Sequence, residues 1–149
     1  MESKLHIAKP EDFMKNLPSL LEEAESIPLI ISGNSMLPFL IHGRDTVFLS
    51  KIQKPLKKGD IVLYRRLNGA YILHRICSVQ KDSFTLIGDA QPIKEKGIKE
   101  EQIIAIVKTV KRKGKTITEK NFTWFFFEKI WLKIIPLRAV IIKIYSKFK

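Results

Sequence analysis

Apolar residues recur at helical spacing near the start of the chain and at strand spacing beyond it. Phe13, Leu17, Leu20, Leu21 and Ala24 fall three or four residues apart behind Pro10. That pattern predicts a helix over 10–26, because such positions share one helical face and Pro suits a first helical turn. Pro18 marks a point where it breaks or restarts, and Glu22, Glu23 and Glu25 form an acidic outer face. From Leu29 to Ile117 the apolar runs shorten and turn residues separate them. Leu29–Ile31, Thr46–Leu49, Ile61–Arg66, Tyr71–Val79, Phe84–Ile87, Ile103–Val110 and Thr116-Ile117 all read as strands. Asn68-Gly69 predicts a tight hairpin between the third and fourth, since both residues tolerate positive φ. Lys81-Asp82-Ser83 and Lys113-Gly114 predict two further turns. Many short strands at close intervals predict a mainly β core of antiparallel strands, coiled or closed into a partial barrel. The expected layout is an N-terminal helical segment over 1–28, a core over 29–118 and a helical tail over 119–149.

The tail has a character of its own. Phe122, Trp124, Phe125, Phe126, Phe127 and Trp131 fall within ten residues, and Pro136 divides the segment into two short helix candidates. Ile130, Ile134, Leu137, Ile141, Ile144 and Phe148 approximate one helical face. Charge sharpens the contrast. The chain has 27 Lys and Arg against 15 Asp and Glu, a net +12, and 108–149 alone holds 12 basic and two acidic residues. A basic aromatic segment of this kind either completes the core or meets an anionic membrane surface. In the second case Trp and Phe enter the headgroup boundary while Lys129, Lys133, Arg138, Lys143 and Lys147 meet lipid. Nucleic acid is not an expected partner, because no helix-turn-helix, zinc finger or aromatic RNA-binding box is present.

Other counts narrow the chemistry. A single cysteine, Cys77, excludes an internal disulfide framework, and with only three histidines no metal site or other cofactor is expected. No Gly-rich phosphate loop occurs. The start, Met1 to His6, lacks a charged-then-apolar leader, and no apolar run nears the ~18 residues of a spanning helix. The expectation is therefore a chain in the cytoplasm or peripheral to the cytoplasmic face of the membrane.

Ser32-Gly33-Asn34-Ser35-Met36-Leu37-Pro38 is the most informative segment. A small polar turn after an apolar strand would expose the Ser35 hydroxyl, with Met36 as an apolar anchor or a wall of the groove and Pro38 as a stiffener. The same residues also read as an ordinary turn. Gly43-Arg44-Asp45, Lys58-Gly59-Asp60, His74-Arg75-Ile76 and Gly88-Asp89-Ala90 follow in order. A serine nucleophile needs a base within hydrogen-bond reach, and neutral imidazole serves near pH 7. An aspartate on the far ring nitrogen would fix its tautomer. His74, mid-strand, faces one side while Leu73 and Arg75 face the other. Asp45 and Asp60 read as turn aspartates, His42 as a rival base, and His6 and Cys77 as bystanders.

Taken together these five boxes resemble the serine peptidase superfamily of type I signal peptidases and self-cleaving LexA-type repressors, over roughly Leu29 to Lys111. The resemblance implies an antiparallel coiled-sheet fold with Ser35 as nucleophile and His74 as general base. Bacterial signal peptidases carry lysine at the His74 position, and the archaeal and endoplasmic-reticulum branch carries histidine. Asp89 matches that branch's Gly-Asp box, and Glu95 stands where a second aspartate is usual. Gly33 replaces the serine that signal peptidases often place two residues before the nucleophile. The Ser35 amide, with Ser32 or Asn34, is the expected oxyanion donor. The resemblance implies an endopeptidase acting on an extended peptide, a leader or signal peptide among the candidates. It would lack both the usual N-terminal membrane anchor and the repressors' DNA-binding domain. The competing reading is a catalytically inactive peptide- or membrane-binding module on the same fold.

Overall fold

A computed structural model describes residues 10–147 of the chain. His6 and Phe148 lie outside the described residues. Helix α1, Pro10–Glu23, runs unbroken through Pro18. Eight strands follow: β1 Ile27–Ile30, β2 Thr46–Ser50, β3 Ile61–Arg65, β4 Tyr71–Val79, β5 Phe84–Ile87, β6 Glu95–Ile98, β7 Ile103–Arg112 and β8 Lys115–Thr118. The tail begins with α2, Phe122–Phe125, loosens into a wide turn over Phe126–Ile130, and tightens over Trp131–Leu137. It ends in α3, Arg138–Lys147.

All pairings are antiparallel, in the order β1-β2-β7-β3-β4-β5-β6, as expected for a mainly β coiled sheet. Strand β8 pairs with the far end of β7, on the edge that β3 occupies nearer its start. The hairpins follow from local chemistry. Gly69 has φ +96° in the β3–β4 turn, and Lys113 (+53°) with Gly114 (+80°) makes the β7–β8 turn. Bulges at Phe48/Leu49, Leu63/Tyr64, Ile76/Ser78 and Phe84/Leu86 let the sheet coil upon itself. Strand β6 was not expected: Glu95-Lys96-Gly97-Ile98 is a polar edge strand with no apolar alternation to reveal it.

Strand β3 shows why the sheet coils. Four of its five residues are buried, and they alternate between two cores. Ile61 and Leu63 face a large cluster with Leu17 and Leu21 of α1, Met36, Phe39 and Leu40, and Trp124, Phe127 and Trp131 of the tail. Val62 and Tyr64 face a second cluster with Ile76, Leu86, Ile98 and Ile106. The aromatic stretch thus completes the core. Trp124, Phe127 and Trp131 are buried, and so is Arg138, one of the cations expected at lipid. Phe122, Phe125 and Ile130 remain exposed.

Candidate active site

The loop after β1 is built from its anchors upward. Met36, Phe39 and Leu40 are buried. Phe39 packs edge-on against Trp124 and tilts against Phe127. Arg112 donates to the Phe39 carbonyl at 2.7 Å and to the Pro38 carbonyl at 3.4 Å. The buried Asp45 carboxylate closes the loop from below, accepting from the Ile41 and Lys113 amides and from Arg44. It is therefore a tie across the fold rather than only a turn aspartate. Asp60 keeps the turn role, accepting the Lys57 amide at 2.9 Å. Ser35, half-buried, stands on this platform.

Ser35 shares a cleft of about 190 Å³ with His74. Ile31, Ser32, Gly33, Met36, Arg66, Tyr71, Ile72, Leu73 and Gln91 line the rest. Asn34 does not line it; its carbonyl accepts the Leu37 amide and closes the turn. His42, the rival base, accepts the Gly33 amide at 2.8 Å on Nδ1, and it is absent from the cleft wall.

His74 lies opposite Val62 in the β3–β4 register, so it shares a face with Tyr64. Its Nδ1 is 3.2 Å from the Tyr64 hydroxyl, and that hydroxyl donates to Glu95 Oε1 at 2.6 Å. A phenol has one proton. With that proton given to the carboxylate, the Tyr64 oxygen accepts from His74, so Nδ1 carries the hydrogen and Nε2 keeps its lone pair. Arg66 grips the same carboxylate at 3.0–3.2 Å. Burial would raise the Glu95 carboxyl, but hydrogen bonds from Arg66 and Tyr64 outweigh it and hold the group below its ordinary range. Burial, and next the Arg66 charge, pushes the His74 imidazole down to about 4. His74 is therefore neutral at pH 7. Burial and Glu95 raise the Tyr64 phenol, so it stays protonated.

Asp89 goes elsewhere. Both of its oxygens accept from Arg75, at 2.8 and 2.9 Å, and both side chains are fully buried. Arg75 also donates to the Gly59 carbonyl and lies over the Phe39 ring at 5.4 Å. Strand alternation explains this. Arg75 and His74 are neighbours on β4 and face opposite sides, and Asp89 sits on the Arg75 side. The expected Asp89–His74 contact is not formed; Tyr64 and Glu95 occupy the Nδ1 side.

Gly88 joins the two halves of the site. A Cβ there would lie 2.5 Å from the Ser35 carbonyl oxygen and 3.0 Å from His74 Nε2. No side chain fits, and the two residues approach across this gap. The next turn residue, Ala90, donates its amide to the same Ser35 carbonyl at 2.9 Å. The Ser35 hydroxyl makes no hydrogen bond among the described residues.

Tyr64 and Arg66 were not singled out from sequence. Their signal was parity, since 62, 64 and 74 share one face once the Asn68-Gly69 hairpin sets the register. No group of histidine, cysteine and carboxylate side chains among the described residues is arranged to hold a metal.

A protein-family model described as Peptidase S24-like matches residues 2–117. No curated protein and no solved structure matches the chain. The matched span includes Ser35, His74, the Gly88–Asp89 box and all of β1 to β7, well over half the chain. The chain thus belongs to the Peptidase S24-like family, whose members are generally serine peptidases of the signal-peptidase and repressor type.

Proposed function

We propose that this protein is a serine endopeptidase in which Ser35 attacks and His74 Nε2 serves as general base. The observation that carries the reading is the Glu95–Tyr64–His74 hydrogen-bond chain on the Nδ1 side of the imidazole. Tyr64, held by Glu95, engages Nδ1, which leaves the Nε2 lone pair on the side of Ser35. Attack by Ser35 Oγ on a peptide carbonyl transfers the hydroxyl proton to Nε2. The imidazolium is stabilised through Tyr64 by Glu95, the role a triad carboxylate has elsewhere. Nε2–H then protonates the leaving amine, and water hydrolyses the acyl-enzyme with the same base. The Ser35 amide, which has no acceptor among the described residues, is the proposed oxyanion donor.

The substrate reading is an extended peptide. On β4 the Ala70 and Ile76 carbonyls and the Ile76 amide bond toward the β3 side, so even-numbered residues face β3. Tyr71 and Leu73 therefore direct their backbone groups to the opposite edge. Strand β5 pairs only from Arg75 onward, so no strand among the described residues pairs with that edge beside the cleft. A peptide added there would hydrogen-bond to Tyr71 and Leu73 and carry its carbonyl past Ser35.

The test compares peptide termini by mass spectrometry in native cells carrying wild type, Ser35→Ala or His74→Ala, with folding checked by thermal melting. Termini lost in both folded variants are expected and would name the substrate. Identical termini in all three would leave the peptide-binding module as the better reading.

A membrane contact is a second proposal, favoured by the outer face of α3 and the residue just before it. Leu137, Val140, Ile141 and Ile144 are exposed at helical spacing. Lys143 and Lys147 flank them, and no acidic residue occurs from Lys129 to Lys147. Binding to anionic vesicles that weakens with salt, and is lost in Ile144→Glu, is expected. Indifference to such vesicles at low salt would dismiss it.

A further inference from the structure

The Gly88–Gln91 turn lies against both Ser35 and His74; Arg75 holds its Asp89 side chain, but its carbonyls are held from outside the residues that match the family. Trp131 donates its indole N–H to the Asp89 carbonyl at 2.7 Å. Arg138 donates to the Gly88 and Gln91 carbonyls, both at 3.1 Å, and to the Trp131 carbonyl at 3.3 Å. Its guanidinium lies 5.5 Å from the Trp131 ring. Three of the four turn carbonyls thus end on two side chains of the tail.

Burial makes the choice of residue informative. Arg138 is 1% exposed and has no carboxylate partner among the described residues. Burying an arginine whose partners are carbonyl dipoles is costly, and its Nη2 finds no partner among the described residues. An apolar side chain would fill a buried position more cheaply. What an apolar side chain cannot do is hold two carbonyls one turn apart; Arg138 Nη1 donates to both, while Nε fixes the guanidinium against the Trp131 carbonyl. On the inner side the same turn hands the Ala90 amide to the Ser35 carbonyl.

We infer that Trp131 and Arg138 are positioning residues for the Ser35–His74 pair, acting through the Gly88–Gln91 turn. The inference rests on the peptidase reading for its catalytic consequence, but not for its structural one.

Trp131→Phe keeps the ring and removes the N–H. Arg138→Met keeps the stem and removes the donors, while Arg138→Lys keeps donors. Residue-resolved amide exchange of the full chain should show the Ala90 amide exchanging about tenfold faster in Trp131→Phe and Arg138→Met, with β2 and β3 amides unchanged. Arg138→Lys should restore much of the protection. Turnover of the substrate peptide should fall about tenfold in kcat at constant KM, since the loss is one of alignment. If Ala90 exchanges no faster than in wild type, or if β2 and β3 amides speed up equally, the inference is overturned. If Ala90 alone responds while the wild-type chain cleaves nothing, the positioning stands and the peptidase reading falls.

Discussion

His74 is neutral because it is buried beside a cation, and that has a kinetic consequence. A free-enzyme base held near 4 remains competent well below pH 6.5. The acid limb of kcat/KM is expected to fall as pH drops through that lowered value, not through the ordinary histidine range. Arg66 contributes to the lowering and also neutralises Glu95. Arg66→Gln removes one positive charge and frees one negative charge, and both changes favour the imidazolium. The limb should therefore move to higher pH, as read from rate profiles of the two proteins. A second residue-scale prediction concerns Gly88. Its Cβ position is blocked by the backbone oxygen of Ser35, which cannot rotate aside. Gly88→Ala should cost about 1–3 kcal/mol in urea unfolding, with turnover lost more completely than stability.

At the scale of elements, one strand divides the site's labour. Alternation along β4 gives His74 to the cleft and Arg75 to the core, so Asp89 bonds to a structural arginine. Asp89→Asn is therefore expected to behave as a folding variant. Removing one partner from a fully buried pair costs about 3–5 kcal/mol, visible as a large drop in the urea midpoint. Had Asp89 been the His74 partner, the variant would melt near wild type and lose turnover alone. The hairpins were legible because Gly69, Lys113 and Gly114 supply the positive φ their turns need, although Asn68 keeps negative φ and the β3–β4 loop spans three residues, 67–69, rather than the two expected. The Asp89 partner was not, because Gly-Asp turn chemistry is the same whichever neighbour lies across the fold. Strand β6 escaped for a related reason: its pairing comes from β5 rather than from a pattern of its own.

For the whole molecule, pH couples to stability through the same histidine. Its folded value is depressed, so above about pH 6.5 both states are neutral and stability is fully present. As pH falls from there toward 4, the unfolded chain binds a proton that the folded one resists. The His74 contribution should decline by up to about 1.4 kcal/mol per pH unit and level off below pH 4, where protonation of Glu95 and Asp45, both held below their ordinary range, continues the loss. Denaturant titrations at several pH values would show this slope, and His74→Gln should lack it. The tail is part of this cooperative unit. Trp124, Phe127 and Trp131 share one core with α1 and β3, and Trp131 is 2% exposed. Ending the chain at Thr118 should abolish the near-ultraviolet signal of fixed tertiary packing, beyond any change in where the protein partitions.

Local chemistry in the sequence determined the hairpins, the antiparallel β core, a helix starting at Pro10 and the order of the boxes that mark the family. Each depends on residues close together in the chain, where turn angles, alternation and spacing act directly. Tertiary structure alone decided which carboxylate stands behind His74, that Asp89 belongs to Arg75, and that the aromatic tail turns inward to hold the Gly88–Gln91 turn. Those outcomes depend on which faces meet when a coiled sheet closes, and the bulges that set that closure leave no local signature in the sequence.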